Sequence, residues 1–195
     1  MLAAAASVIE RDGLAGLSLR SVAGDLGVSH TAFRHHFGSR EGVLNALAVQ
    51  GHELLADALR AARDETGSFL EMGFAYVRFA VAHPALFAVM FRPDLLDESD
   101  PELAGARHDT FSILRGGIDE LQQRGAVEDA AAATIAGWAI VHGIATLALT
   151  GNLDASEVRS LVAAGDLEGI TRRAAGMLYG SPWSAAVEGT ESGEE

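Results

Sequence analysis

Between residues 18 and 41 the chain reads SLRSVAGDLGVSHTAFRHHFGSRE, and no other segment restricts the fold as tightly. Two short helical patterns, LRSVAGDL and HTAFRHHF, are separated by a single glycine turn. A serine stands before each. Ser18 and Ser29 are placed as N-caps, and Ser39 caps the long helix that follows. Gly27 supplies the residue that ends the first pattern. Helices of two turns do not stand alone in water, so each must lay an apolar face on a neighbour. Helix 1, about 2–12 and stopped at Gly13, is the nearest one available.

At ~100° per residue, the third helix sorts its side chains sharply. Ala32, Phe33, His36 and Phe37 fall on one face, and His30, Thr31, Arg34 and His35 on the other. The first set is apolar apart from one histidine. The second is wholly polar, rich in hydrogen-bond donors and free of acids. Docking the apolar face on helices 1 and 2 turns the polar face outward. A helix, a tight glycine turn and a second helix with a donor-rich outer face form a helix-turn-helix, whose second helix enters the DNA major groove.

The remaining chain carries helical spacing almost throughout, with no alternating β-branched run between hairpin turns. Helix 4 places Val43, Leu44, Leu47, Leu54, Leu55 and Ala58 on its apolar side. Helix 5, about 68–82, is apolar nearly all round (Phe69, Leu70, Met72, Phe74, Tyr76, Val77, Phe79, Val81), as suits the centre of a bundle. Pro84 opens a short helix 6, and an acidic loop, PDLLDESDPE, follows. Helix 7 aligns Phe111, Leu114, Ile118 and Leu121 and ends at Gly125; helix 8 spans 127–150. A short segment, ASEVRSLVAA, leads to a last helix over 166–179 with the stripe Leu167, Ile170, Ala174, Met177 and Leu178. Glu168 and Arg172 are spaced as an i,i+4 pair on that helix. The expected fold is all-α with about nine helices. A three-helix head over residues 1–45 is joined through the long fourth helix to a helical bundle over 46–180, with a loose tail over 181–195.

Charge narrows the function. The net charge of −13 argues against nucleic acid on its face. Its distribution along the chain removes that objection. In residues 1–50, Arg11, Arg20, Arg34 and Arg40 offset Glu10, Asp12, Asp25 and Glu41, and the rest of the chain carries the whole excess. With no cysteine, disulfides, thiolate metal sites and thiol nucleophiles are excluded, which fits the cytoplasm. The start, MLAAAASVIERDG, lacks the basic n-region of a secretory signal. Helix 8 has no charged residue from Ala130 to Leu153 and is long enough to span a bilayer. Its alanine, glycine and threonine content, its internal His142 and its lack of a basic flank favour a buried or subunit-interface helix instead.

The histidines do not read as a metal site. His35 and His36 point apart on a helix, no two histidines are four residues apart, and no HExxH occurs. Neither a catalytic set nor a GxG phosphate or dinucleotide loop is present, so no metal, cofactor or catalytic residue is expected.

SLRSVAGDLGVSHTAFRHHFGSREGVL resembles the DNA-binding region of TetR-family transcriptional regulators. Their third helix commonly reads small–Leu–Tyr–x–His–Phe, then small–Ser/Asp–Lys/Arg–Glu; here that register falls on Ala32 to Glu41. Arg34 takes the place of a tyrosine that contacts phosphate, and Phe33 the place of a buried leucine. The chain also begins almost at helix 1, without the basic arm many relatives carry. More loosely, WAIVHGIATLALTG and AHPALFAVMF resemble a TetR C-terminal class with a tryptophan–histidine–glycine region.

The resemblance implies a homodimeric repressor, released from a pseudo-palindromic operator by a small, largely apolar effector. Under it, residues 46–180 bind ligand and dimerise, the dimer contact being helix 8 (127–150) and the last helix (166–179). Phosphate contacts are expected at Ser18, Arg20, Ser29, Arg34 and Arg40, and base contacts at His30, Thr31 and His35. Phe74, Phe79, Phe87, Met90, Phe91, Trp138 and His142, with Tyr76, each read singly as core. As a set they hold more aromatic surface than a minimal bundle needs, and they are the candidate ligand lining. His83 and His108 are candidate polar partners of His142. A DNA-binding regulator without a small ligand, and a helical enzyme or carrier, are the alternatives.

Overall fold

The computed structural model describes residues 1–27, 29–159, 162 and 166–178; the side chains of His30, Ala32, Phe33, His36, Ser156, Glu157 and Leu178 lie outside it. The regular elements among the described residues are all helical. They are α1 (Leu2–Gly16), α2 (Leu19–Leu26), α3 (His30–Phe37), α4 (Arg40–Thr66), α5 (Phe69–Ala82), α6 (Pro84–Met90), α7 (Pro101–Gln123), α8 (Ala130–Leu149), α9 (Ser156–Arg159) and α10 (Leu167–Leu178). Two single 3-10 turns, Pro93–Leu95 and Asn152–Asp154, complete them. The four-residue α9 falls in the segment expected only as a connection. The tail expected over 181–195 lies outside the described residues.

The helix ends follow the local chemistry. Gly13 breaks the helical path at φ 72, ψ 175, where a stop was expected, and one further turn carries α1 to Gly16. Ser18 Oγ accepts from Ser21 N, Ser21 Oγ accepts from Ser18 N, and Gly27 closes α2 at φ 65. Ser39 Oγ accepts from Gly42 N at the start of α4.

The helices pack as two compact units. The first holds residues 1–57 and 79–111. Its core takes Ala5, Val8 and Ile9 from α1, Val22 from α2, Val43, Leu44, Leu47 and Leu55 from α4, and Leu86, Val89 and Met90 from α6. Gly51 permits the α4–α6 contact: a Cβ there would stand 2.5 Å from Met90 Sδ. Buried Asn45 secures the acidic loop. Its side-chain amide donates to the Asp97 carbonyl and to Asp100, and its oxygen accepts from Asp97 N. The second unit holds residues 58–78 and 112 onward. Its core takes Met72, Phe74, Tyr76 and Val77 from α5, Ile118 and Leu121 from α7, Val141 and Ala145 from α8, and Thr171 and Ala175 from α10.

Four side chains expected in apolar stripes are exposed instead: Leu54, Val81, Phe111 and Met177. Leu54 and Met177 sit ~100° and ~200° round their helices from buried Leu55 and Ala175. α5 has more apolar faces than its units cover, which leaves Val81 outside. α7 passes from one unit to the other at Phe111–Ser112, so no single stripe runs its length. The expected Glu168–Arg172 pair also gives way. Glu168 reaches Arg78 at 3.5 Å, and Arg172 reaches Glu71 at 3.3 Å with its guanidinium 4.3 Å above the Phe74 ring. Both tie α10 to α5.

α8 is long and apolar enough to cross a membrane, with hydropathy 1.7, and 22% of it is buried within the chain. Ile135, Ala139, Thr146 and Leu149 fall within an arc of ~80° round this helix, and all four are exposed.

Candidate functional site

The head is built around α3. Gly27 ends α2, α3 starts three residues later, and Gly38 at φ 71 ends α3 after eight residues. α2 packs on both α1 and α3. Thr31, Arg34 and His35 are exposed along α3, and its first turn contains no acid. The nearest acid before it, Asp25, is held by Arg11 at 3.2 Å. Asp12 first and Asp25 second hold the Arg11 guanidinium above its ordinary range. The outer face of α3 is therefore donor-rich and has no carboxylate of its own to repel a polyanion.

The other expected contacts lie on the segments flanking α3 in sequence. Ser18 and Arg20 are exposed at the start of α2, and Ser29 is exposed at the start of α3. Ser18 is also the cap of α2, so its hydroxyl already serves a backbone N–H. Arg40 is the surprise. It is half-buried, Nε donating to the Leu17 carbonyl at 3.0 Å and Nη2 to the Leu14 carbonyl at 2.7 Å. It binds the start of α4 to the end of α1. The base contact expected of His30 falls on a side chain outside the described residues.

The candidate ligand residues form two groups, one in each unit. Phe79, Phe87, Met90 and Phe91 belong to the first unit. The Phe87 and Phe91 rings meet edge-on at 5.3 Å, and Phe79 lies 5.1 Å from His83. Phe74, Trp138 and His142 belong to the second. There Trp138 Nε1 donates to Tyr76 Oη at 3.3 Å, and Tyr76 Oη shares a 2.9 Å hydrogen bond with His142 Nδ1. Burial pushes the Tyr76 phenol up, with the Trp138 N–H pulling the other way, and burial pushes His142 down. His108 is exposed. Among the described residues, no three metal-ligating side chains converge.

One residue escaped the sequence reading. His52 lies in α4, 5% exposed, its ring in an edge-to-face pair with Phe91 at 5.8 Å between centroids. The available signal was a histidine next to the apolar stripe, in QGHELL, which polarity alone would place outside.

Comparison with known proteins agrees with this geometry. Residues 1–47 match the family described as bacterial regulatory proteins, tetR family, and residues 69–166 match the tetracyclin repressor-like C-terminal domain. The HTH-type transcriptional regulator Rv1816 of Mycobacterium tuberculosis is 36% identical over 85 residues, 40% of this chain and 36% of that one. The match thus spans about a third of that relative's length. A protein of unknown function from Rhodococcus sp. RHA1 is 34% identical over 91% of both chains, with a TM-score of 0.75. FadR from Bacillus subtilis, solved in complex with stearoyl-CoA, shares the fold at 16% identity, a TM-score of 0.68 and coverage of 92% of this chain and 96% of that one.

Proposed function

This chain belongs to the TetR family and is a DNA-binding transcriptional regulator; from that premise we propose that it is a homodimeric repressor, released from a pseudo-palindromic operator by a small, largely apolar effector. The observation that carries the DNA half is the outer face of α3, where Thr31, Arg34 and His35 are exposed with no acid among them. Thr31, His35 and His30 read base edges, since each offers hydrogen bonds to the major groove. Ser18, Arg20, Ser29, Arg34 and Arg40 hold phosphates. Arg34 does so with a full charge. Few of these groups are cationic, so the salt dependence is modest. The acidic remainder of the chain repels stray DNA and works in the cytoplasm, where that DNA is.

Dimerisation follows from α8. A second copy covers the uncharged face of Ile135, Ala139, Thr146 and Leu149, together with Met177 of α10, which is 86% exposed. Two copies then present two α3 helices about 34 Å apart, or a multiple of that, as a two-fold operator requires. The aromatic groups of the two units suit an apolar effector, the kind that FadR's complex with stearoyl-CoA exemplifies in the same fold. To turn a mostly bound population into a mostly released one, the effector must prefer the released conformer about 10⁴-fold, roughly 5.5 kcal/mol.

Selection from random duplex DNA tests the reading. The parent should enrich one palindrome, and an Arg34→Ala, His35→Ala double variant should not. Folded, dimeric parent protein that enriches nothing would sink the operator assignment.

A further inference from the structure

His52 is 95% buried in the first unit, and neither ring nitrogen makes a hydrogen bond. Its backbone carbonyl accepts from Thr110 Oγ1 at 3.1 Å, so the main chain is served and the ring is not. Desolvation pushes the imidazole down to about 4 and Arg107 adds to this; the Met90 carbonyl, near the ring but outside hydrogen-bond geometry, opposes it. The ring is therefore neutral near pH 7, with one N–H donor and one bare acceptor nitrogen. Buried polar groups are nearly always hydrogen-bonded, so a ring with two unserved nitrogens calls for a specific reason. A leucine of similar volume would extend the α4 stripe with no such cost.

The apolar side chains beside it are those already singled out. Phe91, half-buried, meets the imidazole edge to face, and Phe87 meets Phe91. Met90 lies over Gly51, the residue before His52. Its flexible thioether chain can re-pack around a guest.

We propose that His52 is the polar anchor of an effector site in the first unit, and that the effector bound there is a neutral, largely apolar molecule bearing one hydroxyl group. This rests on the effector reading above. A hydroxyl both donates and accepts, so it satisfies either nitrogen of a neutral imidazole. A carboxylate only accepts, so it can serve only the N–H of the neutral ring, and its charge would be buried where Arg107 is already paired with Glu98. The one hydrogen bond fixes orientation, and Phe87, Met90 and Phe91 supply the apolar contact.

The test titrates the purified full chain with 1-octanol and, separately, with octanoate. Thermal unfolding and the ¹⁵N shifts of the His52 ring are the readouts. Octanol should raise the melting temperature and move the His52 nitrogens. His52→Leu should be at least as stable as the parent and bind octanol about tenfold more weakly, the loss of one buried hydrogen bond. His52→Gln, which keeps a donor and an acceptor, should recover part of the affinity. Equal octanol binding by the parent and His52→Leu overturns the anchor, as does a parent that binds no octanol. Octanoate binding in place of octanol overturns the hydroxyl assignment. Octanol binding through His52 that leaves operator affinity unchanged keeps the anchor and removes the effector reading instead.

Discussion

Arg40 reaches back from the first residue of α4 to hydrogen-bond the Leu17 carbonyl at 3.0 Å, the same guanidinium taking Leu14 at 2.7 Å. A cation at the C-terminal end of α1 serves the Leu17 carbonyl, adds a second donor to the Leu14 carbonyl that already accepts from Leu17 N, and sits at the favourable end of the helix dipole. Arg40→Ala should lower stability by about 1–3 kcal/mol, because two charge-assisted hydrogen bonds go together. If Arg40 also holds a phosphate, the slope of log affinity against log salt should fall by about two, one for each subunit of the dimer. A destabilised variant with an unchanged slope would leave Arg40 a purely structural residue.

Arg34→Ala should behave differently. The side chain is exposed on α3, so stability should move by less than about 0.5 kcal/mol. Affinity should fall nearly uniformly across operator sequences, with the salt slope reduced by about two, one for each subunit of the dimer. His35→Ala should instead relax the preference at one base pair by about 1–3 kcal/mol. Operator-variant titrations at two salt concentrations separate the two.

Ser18→Ala removes the reciprocal cap with Ser21 and should cost about 1 kcal/mol. Thermal unfolding should show it without any ligand or DNA. Ser18→Asp restores an acceptor and should recover the stability, while a negative charge beside the phosphates weakens operator binding.

His52 gives a pH dependence with a fixed sign. Its folded value of about 4 lies below the unfolded value of about 6.5, so the unfolded chain binds the extra proton in between. Stability should therefore fall as pH drops from about 6.5 to 4, by on the order of 2–3 kcal/mol from this residue. His142, also held low by burial, adds in the same direction. The acidic-loop carboxylates do not share this window. Asp94, Asp97, Glu98 and Asp100 are held below their ordinary range by Arg92, Ser99, Arg107 and Asn45 respectively. Denaturant melts of His52→Leu should be visibly flatter between pH 6.5 and 4, and an unchanged profile would remove His52 as the source.

Ile135→Glu puts a charge on the exposed face of α8. Sedimentation should show the parent as a dimer and the variant shifted toward monomer, since an unpaired buried charge costs several kcal/mol at an interface. A variant that stays dimeric would move the interface elsewhere.

The sequence by itself determined the limits of α2 and α3 and the start of α4, though α1 runs one turn past the expected stop at Gly13. Ser18, Gly27 and Ser39 act on backbone groups within three or four residues, so their effect is local and readable along the chain. The outward polar face of α3 was legible for the same reason, since periodicity depends only on helix geometry. Tertiary structure decided the rest. Arg40 and Arg172 chose partners far along the chain, carbonyls of α1 and the Glu71–Phe74 stretch of α5, over local ones. Leu54, Phe111 and Met177 were left outside, because a stripe says which side of a helix is apolar and not whether a neighbour arrives to cover it. His52 shows the difference most plainly: its polarity predicts the surface, and only the packing of Met90, Phe91 and Thr110 around α4 puts it in the core with its nitrogens unserved.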